Sequence, residues 1–186
     1  MRIISGKNKG KKIILPIDKN TRPLRDIVKE AIFNLIEHSN KFDVKIINAI
    51  VLDLFSGSGS FGLECISRGA KNIIFLENYK KALEVLRNNI INLNVKENCR
   101  IIENNCFDYF EKKKIFSNKF NIIFLDPPYK EKKINFLIKR IKEEQILDEG
   151  GIIIIHRHKN DNDDICENLN IIDTRCYGIS KIIIGN

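Results

Sequence analysis

From residue 49 onward, short and wholly apolar runs alternate with segments of helical periodicity, and this alternation restricts the possible folds more than any other feature. The apolar runs occupy residues 49–55, 72–77, 99–104, 120–126 and 151–156. The segments with helical spacing occupy residues 63–68, 79–93, 106–114, 134–144 and 163–169. Strands that are apolar along their whole length belong to parallel sheets, because helices cover both faces of such sheets. The pattern therefore predicts an α/β fold.

Two more apolar runs, near residues 170–173 and 180–185, close the chain. They lie too close together for a helical crossover, so the return between them is predicted to be antiparallel. The full expectation is a seven-stranded, mostly parallel sheet whose last strand is antiparallel. Such sheets bind ligands beyond the carboxyl ends of their strands, at the switch in strand order.

The first thirty residues carry most of the positive charge. They hold nine Lys or Arg residues against three acidic residues, in a chain whose net charge is +8. Within them, residues 1–20 predict a small β-hairpin with a basic, glycine-containing turn, and helical spacing of apolar residues begins at Leu24. A basic segment this concentrated is typical of a surface that contacts nucleic-acid phosphates, although a solubilising lysine face has the same composition.

The totals are those of a globular chain. Its 186 residues suit a single domain, 1–186, with residues 1–20 as a basic extension. No apolar run approaches the ~20 residues that span a bilayer, and the N-terminus has no apolar signal core, so a cytoplasmic location is expected. The five cysteines are widely spaced and include no C-x-x-C pair, so we expect neither a disulfide framework nor a metal site.

A glycine-rich turn, DLFSGSGSFG at residues 53–62, follows the first apolar run. Gly57, Gly59 and Gly62 match the G-x-G-x-x-G pattern, in which glycines permit a tight turn and close approach of a ligand to the backbone. Glu77 ends the second run, where a carboxylate can accept two hydrogen bonds from a ribose diol. These features predict an adenosine-containing ligand. The alternative is a glycine turn that binds nothing.

The charge beside this turn distinguishes two adenosine ligands. NAD would present a pyrophosphate, whereas S-adenosylmethionine (SAM) carries a cationic sulfonium and an ammonium group. Asp53, four residues before Gly57, favours the cation. Asn104 and Asn105 follow the third run, and an Asn at this place either reads the edge of an adenine or caps the helix that starts near Cys106.

The fourth apolar run ends in Asp126-Pro127-Pro128-Tyr129. Proline has no N–H and restricts the residue before it to extended conformations, so this DPPY motif forms a stiff corner whose carbonyls only accept hydrogen bonds. A carboxylate beside such a carbonyl suits a group with two N–H donors, such as the exocyclic amine of a nucleobase. Tyr129 offers a stacking face, and Asp126 could take up the departing proton. The alternative is a rigid turn in which Asp126 caps the next helix.

These motifs resemble the class I SAM-dependent methyltransferases that act on amino groups. In combination, the blocks MRIISGKNKGKKI, TRPLRDIVKEAIFNLI, VLDLFSGSGSFGLECISRGA and DPPY are similar to the RsmD family, from residue 1 to about residue 155. Members of that family methylate the N2 amine of a guanine in small-subunit (16S) ribosomal RNA. The resemblance implies a Rossmann-like methyltransferase, SAM as cofactor, and ribosomal RNA or a partly assembled small subunit as partner, with no membrane and with a monomeric protein.

The resemblance also implies roles for individual residues. The cofactor would be bound by Asp53, Phe55, Gly57, Gly59, Glu77, Asn105 and Cys106. The target amine would be held by Asp126, Pro127 and Tyr129, which form the catalytic set. Thr21, Arg22 and Pro23 would lie near the cofactor and the RNA entrance. RNA would be contacted by Arg2, Lys7, Lys9, Lys11, Lys12, Arg22 and Arg25.

One departure and three alternatives accompany this hypothesis. After the fifth run, HRHK replaces the acidic residue expected of the family, and we interpret His156 and His158 as rim residues that face solvent or RNA. Within the same class, the target could be an adenine or cytosine amine in RNA or DNA. An NAD-dependent oxidoreductase explains the glycine turn but leaves DPPY without a role. A non-catalytic RNA-binding protein would not need Asp126.

Overall fold

A seven-stranded sheet lies at the centre of the protein, with helices on both of its faces. The computed structural model describes residues 1–17, 24–112, 116–161 and 168–186. The strands are β1 (Ile50–Leu54), β2 (Asn72–Glu77), β3 (Cys99–Glu103), β4 (Phe120–Leu125), β5 (Leu147–His158), β6 (Ile171–Tyr177) and β7 (Ser180–Gly185). The helices are α1 (Asp26–His38), α2 (Ser60–Ser67), α3 (Lys80–Leu93), α4 (Cys106–Phe110) and α5 (Ile134–Glu143).

The strand order is β3-β2-β1-β4-β5-β7-β6. Strands β1 to β5 pair in parallel, whereas β7 inserts between β5 and β6 and runs antiparallel to both. The prediction of a mostly parallel α/β sheet with an antiparallel last strand is therefore confirmed. Within the described residues, no helix is both long enough and apolar enough to cross a bilayer.

The sheet separates two apolar clusters, which explains why its strands are apolar on both faces. Helices α1, α2 and α3 cover one face, where Phe33, Phe61 and Leu86 are buried. Helices α4 and α5 cover the other, where Phe110 and Leu137 are buried. Burial on this scale supplies most of the driving force for folding, at about 25 cal/mol per Å² of apolar surface removed from water.

The direction of the strand order switches between β1 and β4. From β1 the chain proceeds through β2 to β3 on one side, and from β4 it proceeds to β5 on the other. Leu54 pairs with Leu125 in the last rung, so the segments after β1 and after β4 leave the sheet from neighbouring positions. A crevice opens at such a switch point. The glycine turn and the DPPY motif therefore flank the same crevice.

Several element boundaries differ from those predicted. Helix α2 begins at Ser60 rather than at residue 63, and β5 spans Leu147–His158 rather than 151–156. The additional β5 residues are mostly glycine or polar, and they are held by pairing with β4 and β7, which apolar periodicity does not register. The predicted hairpin is short: Arg2 and Lys12 form an antiparallel bridge, the backbone N–H of Ile3 donates to the carbonyl of Lys11, and that of Ile13 donates to the carbonyl of Met1. Most of the predicted helix at 163–169 lies outside the described residues.

The described part of the N-terminal extension, residues 1–17, is docked on α2. The buried Glu64 carboxylate accepts hydrogen bonds from the backbone N–H groups of Ile4 (2.7 Å) and Ser5 (2.9 Å). The ammonium group of Lys29, also fully buried, donates to the carbonyl of Arg2 (2.8 Å). A Cβ on Gly6 would lie 1.8 Å from the carbonyl oxygen of Ser67, so glycine is needed for this approach. These bonds hold the extension in place, and its last residues reach the crevice.

Candidate active site

A cavity of about 530 Å³ occupies the crevice at the carboxyl ends of β1, β2 and β4. Cavities of roughly 300–1,000 Å³ are typical of small-molecule sites. Its walls come from the extension, the glycine turn, the end of β2 and the DPPY motif: Leu15, Pro16, Leu24, Asp53, Phe55, Ser56, Gly57, Ser58, Ser60, Phe61, Glu77, Asn78, Tyr79, Phe124, Asp126, Pro127, Pro128 and Tyr129. Three carboxylates are among these described lining residues, and none of the residues is Lys or Arg.

The glycine turn adopts a series of left-handed backbone conformations. Phe55, Gly57 and Gly59 have φ values of 60°, 53° and 78°. A positive φ is a genuine outlier for a bulky residue such as Phe55, and backbone outliers of this kind concentrate at functional sites. Phe55 and Gly57, both predicted to bind the cofactor, line the cavity. Phe55 also packs against the ring of Phe107, with centroids 5.8 Å apart.

The other two glycines of the motif serve packing. A Cβ on Gly59 would lie 2.4 Å from Cδ1 of Leu86 in α3. A Cβ on Gly62 would lie 2.0 Å from Cδ1 of Ile73 in β2. Gly59 is not among the residues that line the cavity, although it was predicted to bind the cofactor. These glycines let α2 approach the sheet and α3 closely, which fixes the direction of the turn.

Asp53 is almost completely buried at 1% exposure. One carboxylate oxygen accepts a hydrogen bond from the backbone N–H of Gly62 (3.1 Å). Burial raises the pKa of Asp53 well above its usual range, the Gly62 bond opposes this shift, and the nearby carboxylates of Asp126 and Glu77 raise the pKa further. A cationic ligand at this place would offset both the free-energy cost of burying the Asp53 carboxylate and its repulsion by the other carboxylates.

Glu77 connects the end of β2 to the glycine turn. Its Oε2 accepts from the backbone N–H of Gly57 (2.7 Å), and its Oε1 accepts from those of Asn78 and Tyr79 (2.9 Å each). The carboxylate lines the cavity and is 9% exposed. A carboxylate has about four lone-pair sites, so three backbone bonds leave capacity for a ligand hydroxyl. The sequence predicted a ligand role for this residue and gave no sign of its bonds to the turn.

Asn105 and Cys106 lie at the start of α4, outside the residues that line the cavity. The side-chain oxygen of Asn105 accepts from the backbone N–H groups of Phe107 (2.8 Å) and Asp108 (3.4 Å), so this residue caps the helix. Cys106 is buried, and burial raises the pKa of its thiol. Capping was one of the two roles that the sequence left open for Asn105.

The DPPY motif lines the cavity through all four residues. The carbonyl of Pro128 accepts from the backbone N–H of Glu131 (2.9 Å) and more weakly from the guanidinium of Arg157 (3.4 Å). Among the described residues, no donor reaches the carbonyl of Pro127, which remains an acceptor beside the Asp126 carboxylate. The ring of Tyr129 meets that of His158 edge-on at a centroid distance of 5.1 Å.

The prediction that His156 faces solvent or RNA is wrong. Its side chain is buried at 2% exposure, with Nδ1 2.7 Å from Asp126 Oδ1 and Nε2 2.9 Å from Ser180 Oγ. The error has a physical cause, since the pairing of β5 with β7 continues to the Ser180–His158 rung and covers this position. The sequence signal was the placement of a histidine and a serine in two apolar strands. His158, two residues later, is half-buried.

The predicted RNA-contacting side chains that the structure describes are all exposed: Arg2, Lys7, Lys9, Lys11, Lys12 and Arg25. Thr21, Arg22 and Pro23 lie outside the described residues. Because Leu15, Pro16 and Leu24 line the cavity, the same N-terminal segment carries the basic side chains and forms part of the cavity wall. A polyanion held by this segment would therefore be close to the cavity.

Asn89 of α3 is a site residue that the sequence did not reveal. It is buried, its side-chain oxygen accepts from the backbone N–H of Ile14 (2.8 Å), and its amide donates to the carbonyls of Ile14 and Ser58 (3.0 Å each). One side chain thus fastens the extension to the glycine turn. No local pattern could indicate this, because the three segments are far apart in the sequence.

Among the described residues, no group of three or more His, Cys, Asp or Glu side chains is arranged to hold a metal ion.

Two curated proteins are similar to this chain over most of its length. YlbH of Bacillus subtilis (strain 168), named as a candidate rRNA methyltransferase, is 34% identical over 185 residues, which cover 99% of this chain and 97% of YlbH. The protein named ribosomal RNA small subunit methyltransferase D of Buchnera aphidicola subsp. Baizongia pistaciae is 33% identical over 162 residues, covering 87% of this chain and 78% of its own.

A solved structure, that of the yhhF protein of Escherichia coli, has a TM-score of 0.81 and 26% identity to this chain, and the match covers 100% of this chain and 96% of the other. The family profile described as "Conserved hypothetical protein 95" matches residues 1–186. The chain therefore belongs to the family described as conserved hypothetical protein 95, which is the RsmD family that its motifs resemble.

Proposed function

We propose that the protein is a SAM-dependent methyltransferase that methylates the exocyclic N2 amine of a guanine in small-subunit ribosomal RNA. The observation that carries this proposal is the meeting of two acceptor groups of the DPPY corner, the Asp126 carboxylate and the Pro127 carbonyl, with the carboxylates of Asp53 and Glu77 around one cavity. One side of the cavity suits an adenosine-bearing cation, and the other suits an amine with two N–H donors.

The chemistry of the cavity fits SAM. When bound, SAM supplies a methyl carbon on a cationic sulfur, and the new C–N bond forms as the C–S bond breaks and sulfur keeps the bonding pair. Asp53 would face the positively charged methionine part, beside the backbone of Gly57. Glu77 would accept from the ribose hydroxyls with its remaining lone pair. The raised pKa of the buried Asp53 carboxyl is expected of a carboxyl group whose cationic ligand is not bound.

The DPPY corner fits the target amine. An aromatic amine is a poor nucleophile because its lone pair is delocalised into the ring. Hydrogen bonds from its two N–H groups to Asp126 and to the Pro127 carbonyl would favour a pyramidal nitrogen and direct its lone pair into the cavity. Positioning of this kind supplies much of the rate of a transfer between two bound groups. Asp126 would then accept the proton that leaves the methylated nitrogen and release it to water.

The basic extension and the names of the relatives support an RNA substrate. Basic side chains lie on the segment that forms one cavity wall, where phosphates would neutralise them. The Buchnera relative is named for action on small-subunit ribosomal RNA. The target base must leave its stack to enter the cavity, and Tyr129 offers a ring on which it could rest. The choice of guanine N2 follows from the resemblance to the RsmD family, since the two acceptors fit any exocyclic amine.

The cavity disfavours the oxidoreductase alternative. A pyrophosphate beside Asp53, Glu77 and Asp126 would meet three carboxylates and no described lining Lys or Arg. Repulsion between the pyrophosphate and these carboxylates would destabilise the complex. This alternative also gives no role to the Asp126 and Pro127 acceptors.

The proposal is tested with SAM that carries a labelled methyl group. The protein is incubated with naked small-subunit RNA and, separately, with partly assembled small subunits, and the labelled nucleoside is identified after digestion. We expect N2-methylguanosine at one position. Label in N6-methyladenosine or N4-methylcytidine would retain the amine mechanism and reject the guanine assignment. Absence of label from both substrates, in a protein that binds SAM, would reject the RNA substrate.

A further inference from the structure

We propose that His156 is a positioning residue for the amine-binding corner: it holds Oδ1 of Asp126 and so presents the other carboxylate oxygen, Oδ2, to the substrate. This inference rests on the proposed function and adds to it a residue that neither the DPPY motif nor the glycine turn contains. His156 is not among the residues that line the cavity, so it would act only through Asp126.

The geometry is that of a chain of three side chains. Asp126 lies at the end of β4, His156 lies near the end of β5, and Ser180 begins β7. The imidazole bridges its two neighbours, with Nδ1 2.7 Å from Asp126 Oδ1 and Nε2 2.9 Å from Ser180 Oγ. His156 and Ser180 are each 2% exposed, whereas the Asp126 side chain is 17% exposed and lines the cavity. The chain of hydrogen bonds thus runs from the core to the cavity.

The partners of the two ring nitrogens determine the tautomer. An ionised carboxylate can only accept hydrogen bonds, so the nitrogen that faces Asp126 must carry the hydrogen. Nε2 is then the acceptor and receives the hydroxyl hydrogen of Ser180. The Asp126 carboxylate thus selects the tautomer in which Nδ1 donates, and the Ser180 hydroxyl, which can donate or accept, matches this tautomer at Nε2.

The consequence for Asp126 is a fixed orientation. A carboxylate at the end of a strand can rotate about its Cβ–Cγ bond, and rotation would carry the acceptor oxygen away from the amine. With Oδ1 bound to Nδ1–H, Oδ2 and the Pro127 carbonyl become a rigid pair of acceptors. Catalytic groups need to be held to within about 0.5 Å, and hydrogen bonds from a supporting side chain provide this precision. Loss of the His156 bond should therefore slow transfer more than it weakens cofactor binding.

Three substitutions at one position separate this role from packing. His156→Leu removes both hydrogen bonds and replaces the imidazole by an apolar side chain of similar length. His156→Asn places an amide N–H near the position of Nδ1, whereas His156→Gln places its amide near the position of Nε2. Single-turnover methyl transfer to the RNA substrate and the Kd for SAM are measured for each variant. His38→Leu is the matched control, because His38 is exposed at the end of α1.

We expect His156→Leu and His156→Gln to slow single-turnover transfer by about tenfold to a hundredfold, the usual effect of losing a hydrogen bond to a charged group, with little change in the Kd for SAM. His156→Asn should remain within about threefold of the wild-type rate. A Leu variant that binds SAM and transfers at the wild-type rate would overturn the inference. So would an Asn variant as slow as the Leu variant, because packing alone would then account for both.

A second measurement uses the unaltered protein and does not depend on whether the variants fold. The ¹⁵N chemical shifts of the imidazole should report hydrogen on Nδ1 of His156, and an Nδ1 without hydrogen would overturn the inference. The chain has only three histidines to assign. Failure of the proposed function looks different: the wild-type protein would then bind SAM and transfer no methyl group to any RNA, whatever the tautomer of His156.

Discussion

At the scale of single residues, the cavity concentrates negative charge where folded proteins ordinarily avoid it. Asp53, Glu77 and Asp126 line one space, and Asp53 is buried with only one described hydrogen bond to its carboxylate. Such an arrangement costs stability in the ligand-free protein and is retained where a ligand needs it. The carboxylates that would bind a cationic ligand are therefore expected to lower the stability of the ligand-free protein.

The burial of the Asp53 carboxylate among other carboxylates predicts a pH-dependent effect of Asp53→Asn on stability. Because burial raises the pKa of Asp53, the folded ligand-free protein loses stability as pH rises from the unfolded-state pKa, about 3.9, to the raised folded-state pKa. Asn still accepts from Gly62 and carries no charge. We expect Asp53→Asn to raise the Tm by a few degrees at pH 7 and by less at pH 5. In a chain of this size, about 1 kcal/mol of stability corresponds to about 2–4 °C in Tm.

The same substitution should weaken SAM binding by about tenfold or more, measured by calorimetry, because it removes a charge–charge interaction. Asp43→Asn, an exposed position outside the cavity wall, is the control and should change neither Tm nor affinity. An Asp53→Asn protein that binds SAM as well as the wild type would remove Asp53 from the cofactor site.

Asp126→Asn tests the amine-binding corner. Asn is nearly isosteric but turns one acceptor into a donor, which would face either the amine or His156 Nδ1. We expect single-turnover methyl transfer to fall by at least about a hundredfold while the Kd for SAM changes by less than about threefold. Asp43→Asn, exposed and outside the cavity wall, is the control. Near-normal transfer by Asp126→Asn would disprove the amine-binding role of the corner.

At the scale of structural elements, the N-terminal extension completes the cavity because polar side chains of three helices hold it. Lys29 of α1, Glu64 of α2 and Asn89 of α3 all bind its backbone. Burial lowers the pKa of Lys29, while the carboxylates of Glu64 and Asp26 oppose the shift. These buried polar contacts fix the position of the extension together with its Ile3 and Ile13 side chains, which pack into the apolar cluster on the same face of the sheet.

Asn89→Ala should release one end of the extension. The backbone of Ile14 and the carbonyl of Ser58 would lose their partners, so amide hydrogen exchange near residues 13–15 should become faster. We expect SAM affinity to fall severalfold, since Leu15 and Pro16 form part of the cavity wall. Asn88→Ala is a matched control on the same helix, because Asn88 is exposed. Equal exchange rates in the two variants would show that Asn89 does not anchor the extension.

At the scale of the whole molecule, the charge is divided by location. The cavity is negative, whereas the extension beside it carries exposed Lys and Arg side chains. A nucleic-acid backbone would be attracted to the extension and repelled by the carboxylates, so that only a neutral base enters the cavity. Association driven by phosphate binding depends strongly on salt. The net charge of +8 therefore matters less for binding than its uneven distribution.

Replacing Lys9, Lys11 and Lys12 by Glu should weaken RNA binding and flatten its salt dependence. The slope of log Kd against log salt should fall by about one unit for each phosphate that the variant no longer binds. A matched control makes the same change in net charge with Lys119, Lys139 and Lys142, which are exposed near the start of β4 and on α5. Equal losses of affinity in the two triple variants, measured by filter binding across a salt series, would argue against a specific role of the extension.

Residues at the ends of the buried strands could be predicted from the sequence. The apolar runs predicted β2 and β7 to the residue, because burial on both faces leaves a continuous signal in the sequence. Gly57, Asp53 and Asp126 were found for a related reason, since each stands at or near the carboxyl end of such a run, where the topology must bring them together. Local pattern and strand order were sufficient for this part of the site.

The amino-acid sequence alone thus determined the parallel sheet, its antiparallel last strand and the motifs that meet at its edge, because these follow from periodicity and chain order. Only the tertiary structure decided that His156 lies behind Asp126, that Asn89 joins the extension to the glycine turn, and that Asn105 caps a helix. The physical reason is that a hydrogen bond between distant segments depends on distances of a few tenths of an ångström, which packing sets and local sequence does not encode.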